Sequence, residues 1–486
     1  MFLFDINTFW DGTKSTDDYA ASGPVLPTPH GKWFHPEKKI AEKIISFILE
    51  LLLPFVKVTS CQSIFDATSD PETQESLRCF RRSMNTTGIK EYEAVVTKMK
   101  QKYQWEKAAY HDIPRKQNIL IDWGIVNDYS ILTQTNGEQV ANPIAATSAV
   151  TVYVHGPSKF LFQPKDEGDK EASSRGSLSK VLRLSYYPTV PIMVWIHGGG
   201  MICMSAKDGR GLAYCGDLLA FQRKKRQQAV KEYSLENKGG EIQEQHELYP
   251  DMVVVNVEYG LAPEHPFPNG VIDCLSVIEH LIELYPSNPI HVAGESAGGN
   301  LTSVVAFECA RKYPGRISSA FIMQPMLTPA ADTVSYHMNS RSSFIPGDWL
   351  RWCWRAYISF DNDRTKKLSN SREIHIYSYE KSKWMTNKDE NTKNWVRLFA
   401  PQTNLPNKEE LKNTSFIVVA SRADPLHDDG QQLALELMSI CGNERKNGRS
   451  VVTYIDTTGD HTTGLIFDKE KHAEAMDTLR RCVFGD

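Results

Sequence analysis

A single pentapeptide restricts the fold of this chain more than any other feature. Gly294-Glu295-Ser296-Ala297-Gly298 directly follows the apolar run Pro289-Ile290-His291-Val292-Ala293 and directly precedes a helix-like stretch from Ala297 to Lys312. An apolar run of that length reads as a buried strand. The pentapeptide must therefore turn the chain sharply from strand into helix. Its glycines leave room for a strained turn and for close packing of helix on strand. A serine at the centre of such a turn projects its hydroxyl into a cleft, and the helix N-terminus favours negative charge developing beside it. These are the needs of a nucleophilic serine.

Similar apolar runs recur at Pro191 to Ile196, Met252 to Val257, Ser319 to Met323, Ser415 to Ala420 and Val451 to Ile455, with helical stretches between them. Ile119-Leu120-Ile121 and Val150 to Val154 read as two earlier strands. Continuous apolar strands alternating with helices imply an α/β fold, with a mostly parallel sheet covered on both faces. Residues 1–116 read as an N-terminal extension, helical and cap-like or lid-like, with helices expected over 36–58, Gln74 to Met84 and Lys90 to Tyr110. Residues 117–486 read as the α/β domain, with a polar surface insertion at about 221–250. That insertion opens on Arg223-Lys224-Lys225-Arg226, which reads as a solvated helix face.

A second motif, His197-Gly198-Gly199-Gly200, closes the run ending at Ile196. Acyl transfer generates an oxyanion, and glycines let backbone N–H groups approach it unobstructed. Gly198, Gly199 and Ala297 are the expected donors. A serine of this type requires an acid and a histidine later in the chain, each after a late strand. Asp424 follows Ser415 to Ala420, and His461 follows Val451 to Ile455. Asp428 and Asp429 compete as acids but read as the start of the next helix. His427 lies too near the acid in sequence to serve as base. His472 falls in a helical stretch and reads as solvated.

The net charge of −4 lends no support to a nucleic acid partner. Nine cysteines without a C-x-x-C pair read as free, mostly buried thiols of a reducing compartment, not as zinc ligands. The start of the chain has no basic n-region, and Asp5 interrupts its apolar residues, so a cleaved leader is not expected. Ile44 to Val56 is the longest apolar stretch, short of the about 20 residues a bilayer span needs. It reads as an amphipathic helix on the body of the protein, with a peripheral lipid contact as the second reading because Lys38-Lys39 precede it. A cytoplasmic location is expected, with peripheral membrane association as the alternative.

Taken together, His197-Gly198-Gly199-Gly200, the stretch Tyr259-Gly260-Leu261-Ala262-Pro263-Glu264-His265-Pro266-Phe267-Pro268, Gly294-Glu295-Ser296-Ala297-Gly298-Gly299-Asn300 and Asp424-Pro425-Leu426 with Asp428-Asp429-Gly430 resemble the hormone-sensitive-lipase family, which includes bacterial family IV esterases and arylacetamide deacetylases. The resemblance covers about residues 145–486. It implies an α/β-hydrolase core with a mainly helical cap, placed here at about 328–398, where Arg351-Trp352-Cys353-Trp354 and Tyr357 are similar to the family's cap region. It further implies hydrolysis of carboxylic esters of short or medium acyl chain, through a Ser296-Asp424-His461 triad and an acyl-enzyme, without cofactor or metal. An amidase or deacetylase on the same machinery is one alternative, and a non-catalytic receptor on the same fold is another. Two departures stand out. Gly260 occupies the place of the family's arginine, which puts local rigidity in doubt. Thr462 and Thr463 follow the histidine where the family has glycine and an aromatic residue.

Overall fold

A computed structural model of the chain describes residues 81, 89–107, 111–129, 134–135, 138–139, 144–161, 182, 184–236, 251–340, 343, 345, 347–358, 390–442, 445–446, 449–461 and 464–485. Its centre is a sheet of nine strands: β1 (Trp105–Lys107), β2 (His111–Pro114), β3 (Ala149–Pro157), β4 (Ile192–Ile196), β5 (Val253–Glu258), β6 (Ile290–Glu295), β7 (Ile317–Met323), β8 (Ser415–Ser421) and β9 (Val452–Thr457). The spatial order is β1-β3-β5-β4-β6-β7-β8-β9, with β2 also paired to β3. From β5 to β9 every neighbouring pair is parallel. β3 runs antiparallel to β5, β1 and β2.

Helices cover both faces: α1 (89–103), α2 (Ile119–Asp122), α3 (Arg210–Glu236), α4 (Asn269–Leu284), α5 (Ala297–Lys312), α6 (Val334–Asn339), α7 (Gly347–Ile358), α8 (Glu390–Arg397), α9 (His427–Cys441) and α10 (Lys469–Phe484). Successive strand side chains point to opposite faces, and the core divides accordingly. β4 sends Ile192, Val194 and Ile196 to a cluster shared with Leu275 of α4, Leu301 of α5 and Leu437 of α9. It sends Met193 and Trp195 to a second cluster, shared with Met99 of α1, Leu218 of α3 and Met476 of α10. Burial on both faces explains why these strands read as continuous apolar runs and not as alternating ones.

Several sequence expectations change. Ile119-Leu120-Ile121 is not a strand but the helical turn α2. Ile119 and Leu120 are buried side by side while Ile121 is exposed, and the Trp123 N–H closes the turn on the Ile119 carbonyl. The helix expected over Lys90 to Tyr110 ends at residue 103. Trp105–Lys107 is instead an edge strand against β3, so the sheet begins upstream of residue 117. The basic run 223–226 lies within α3, with Lys224 and Lys225 exposed, and the insertion therefore starts as a continuation of that helix. Residues 237–250, the stretch Ile44 to Val56, residues 36–58 and all of Gln74 to Met84 except Arg81 lie outside the described residues. Among the described residues no helix is long and apolar enough to cross a membrane. The described cysteines are free thiols, all buried except the half-buried Cys482.

Leu301 is fully buried one turn beyond the pentapeptide. Leu301→Ala should lower stability by about 2–5 kcal/mol through the cavity it leaves, read from the urea midpoint. A loss well below that would contradict the packing described for α5.

Candidate active site

Ser296 sits between β6 and α5 with φ 59° and ψ −121°, a conformation that a residue with a Cβ adopts only under strain of about 1–3 kcal/mol. Two backbone hydrogen bonds hold it there. The Ser296 N–H donates to the Met323 carbonyl at 2.9 Å, and the Met326 N–H donates to the Ser296 carbonyl at 3.0 Å. The glycine at 298 is obligatory, because a Cβ there would overlap the carbonyl groups of Ile196 and His197 at the end of β4. The turn is thus pressed directly against the start of the glycine loop.

That contact brings the two motifs together. A Cβ built on Gly198 would lie 3.5 Å from the Ser296 Cβ. The hydroxyl of Tyr259, next after β5, reaches the carbonyls of His197 at 2.9 Å and Gly198 at 3.1 Å. In a trans peptide the N–H points opposite to the C=O. Fixing these two carbonyls therefore turns the N–H groups of Gly198 and Gly199 to the other side of the loop. Neither amide, nor that of Ala297, donates to an acceptor among the described residues. His197 is stacked on Tyr259 at 4.2 Å between ring centroids. Burial pushes its pKa down to about 4, so the ring is neutral and its Nδ1–H donates to the Gly198 carbonyl at 2.9 Å.

Asp424 follows β8 and His461 follows β9, and these neighbouring parallel strands bring the two side chains into contact. His461 Nδ1 lies 2.7 Å from Asp424 Oδ2, with both side chains fully buried. The Asp424 carboxylate also accepts the Leu426 N–H at 2.9 Å. His461 Nε2 is buried and makes no hydrogen bond to any described residue. Burial works against the imidazolium, but the charge and hydrogen bond of Asp424, with the charges of Glu295 and Asp460, outweigh it and hold the His461 pKa above its ordinary value. Glu295 immediately precedes Ser296. Its own carboxylate is anchored by Arg210 at 2.5 Å.

The competing residues are engaged elsewhere. Asp429 Oδ2 accepts the N–H groups of Leu327 and Thr328 at 2.8 and 3.0 Å. Asp428 accepts the Ser335 N–H at 2.8 Å. His427 lies between Asp428 and Asp456. His472 is half-buried rather than solvated, bonded to the Leu465 carbonyl at 3.0 Å and facing Asp217. Thr462 and Thr463 lie outside the described residues.

Residues 248–378 match the family described as alpha/beta hydrolase fold. The chain has the α/β-hydrolase fold, a mostly parallel sheet with helices on both faces. An arylacetamide deacetylase of Oryctolagus cuniculus is 28% identical over 26% of this chain and 35% of that protein. Carboxylesterase NlhH of Mycobacterium tuberculosis is 43% identical over 14% of this chain and 23% of its own length. An esterase structure from Pyrobaculum calidifontis covers 84% of this chain and 90% of that chain, at 16% identity and a TM-score of 0.48. The chain matches about a third of the length of the first curated relatives.

The site uses support residues that its local patterns do not announce. Where the resemblance has an arginine, the Gly260 N–H donates to Asp273 Oδ2 at 2.8 Å, and Asp273 Oδ1 pairs with the buried Arg115 at 2.5 Å. Arg115 also donates to Asn269 Oδ1 at 2.8 Å. An arginine from far upstream thus braces the Tyr259-Gly260 segment. Arg81 donates to the carbonyls of Ile202, at 2.6 Å, and Ala262, and pairs with Glu264. It joins the glycine loop to the Ala262-Pro263-Glu264 segment.

Tyr259→Phe removes the donor that holds two carbonyls of the glycine loop. It should lower kcat by about tenfold, the equivalent of one lost hydrogen bond of about 1.4 kcal/mol, with the fold retained by circular dichroism. An unchanged kcat would contradict the role given to the tyrosine.

Proposed function

We propose that the protein is a serine carboxylic-ester hydrolase with Ser296 as nucleophile, His461 as general base and acid, and Asp424 as the residue that orients the base. The observation that carries this reading is the fully buried Asp424–His461 pair, whose second ring nitrogen is left without a described partner while Ser296 is held in a strained turn.

Asp424 holds the tautomer that carries its proton on Nδ1, leaving Nε2 free to accept. His461 takes the Ser296 proton as Oγ forms a bond to the ester carbonyl carbon. The oxyanion of the tetrahedral intermediate is assigned to the N–H groups of Gly198, Gly199 and Ala297. Collapse breaks the bond to the alkoxy oxygen, which leaves with the proton from His461. Water, deprotonated by the same ring, then cleaves the acyl-enzyme and returns Ser296. The pairing of His461 with Asp424 favours catalysis over a receptor role.

Short- to medium-chain acyl esters are the substrates proposed from the family resemblance. The likeness to an arylacetamide deacetylase gives a second reading, amide hydrolysis, which an aryl ester and its matching anilide separate directly. Purified protein should hydrolyse p-nitrophenyl esters of short chains, with the activity lost in Ser296→Ala. Equal rates in the two proteins would exclude the reading.

The pH profile has a defined sign. The base must be neutral, and its pKa is raised by its carboxylate partner. Activity should therefore be lost as pH falls through a midpoint above about 6.5. Asp424→Asn should lower kcat by about four orders of magnitude through the wrong tautomer. A profile flat between about pH 5 and 8 would eliminate His461 as the base.

A further inference from the structure

The segment expected to form the cap contacts the loops that carry the proposed acid and base through buried side chains. Asn339 ends α6, and its Nδ2 donates to the carbonyls of Arg422 and Asp424, each at 3.0 Å. One turn on, the Ser343 N–H donates to the Asn339 carbonyl at 2.9 Å. The Ser343 hydroxyl donates to Asp460 Oδ1 at 2.5 Å, and the same oxygen accepts the His461 N–H at 2.5 Å. Asn339, Ser343 and Asp460 are all buried. Ser335 adds a hydrogen bond to the Pro425 carbonyl at 2.6 Å. Ser335, Asn339 and Ser343, all in the segment expected as cap, are therefore bonded to the backbone of the acid loop and to the residue beside His461.

This matters because the only hydrogen bond of the His461 ring to a described residue is the one to Asp424. The direction of Nε2 is then set by where the two loops sit relative to each other. We propose that Asn339 and Ser343 are positioning residues that clamp these two loops together, so that hydrolysis requires the cap to be seated. This rests on the reading of Asp424 and His461 as orienting acid and base. In it the cap does more than cover the substrate, because displacing it removes the donors to Asp424 and Asp460 and lets the base turn away from Ser296.

The test is steady-state kinetics of p-nitrophenyl ester hydrolysis by Ser343→Ala, Ser343→Thr and Asn339→Ala, each checked for cooperative unfolding. Loss of one clamp should lower kcat by about 10- to 100-fold, as sub-ångström misplacement of a catalytic group does, with KM within about twofold because binding groups are untouched. Ser343→Thr keeps the hydroxyl and should restore most of the rate. In a His461→Ala background, Ser343→Ala should have no further effect on the residual rate, since the group it positions is gone; a merely structural role would lower that rate again. Asn339→Ala supplies the same reading should Ser343→Ala fail to fold. Unchanged kcat in folded single variants, or an equal further loss without His461, would overturn the clamp while leaving the esterase reading intact. Absence of Ser296-dependent turnover in the unaltered protein would overturn both.

Discussion

The contact between the Ser296 turn and the end of β4 organises the rest of the site. Gly298 has no space for a side chain against the carbonyls of Ile196 and His197, and that close approach is what places the glycine loop beside the serine. The strain at Ser296, with φ at 59°, is offset by strands buried on both faces and by hydrogen bonds to Met323 and Met326. A loop held only by itself could not keep such a backbone, because strained conformations persist only where the surroundings over-determine them.

Charge then sets the several acids and histidines of the site apart. Asp424, Asp428 and Asp429 lie within one short segment, yet they face different partners. Asp429 secures the backbone at Leu327 and Thr328, and burial pushes its pKa up to about 7. Asp424 alone of the three meets the buried imidazole of His461. His197, equally buried, has no carboxylate partner among the described residues, and its pKa falls where that of His461 rises. Two histidines at strand ends thus receive opposite protonation tendencies: His197 remains neutral beside the glycine loop, and Asp424 holds the His461 ring above its ordinary pKa.

Much of this was legible because it is written in local pattern. A strand buried on both faces is a continuous apolar run, so β4 to β9 could be located within a residue or two. The residues Gly294 to Gly298 announce their own turn. Asp424 and His461 follow from chain order and strand ends. What was illegible depends on contacts distant in sequence. Nothing near Arg115 predicts its pairing with Asp273, and nothing near Ser343 predicts its bond to Asp460, because both are formed by tertiary approach. Ile119-Leu120-Ile121 misled for a related reason: three apolar β-formers suit a strand, but burial of two adjacent side chains with the third exposed suits a helical turn. Trp105–Lys107 was hidden at the end of a helical pattern, where a short edge strand gains its hydrogen bonds from β3 and not from its own sequence.

The central claim is that Ser296 is a nucleophile activated by His461. Its most direct measurement is the rate of covalent modification by a fluorophosphonate across pH, with the adduct located by peptide mass spectrometry. The account predicts one adduct per chain, on Ser296, forming along a rising limb that follows deprotonation of His461, and labelling that all but ceases in His461→Ala. An adduct on another residue, or labelling of Ser296 at the same rate without His461, would contradict it.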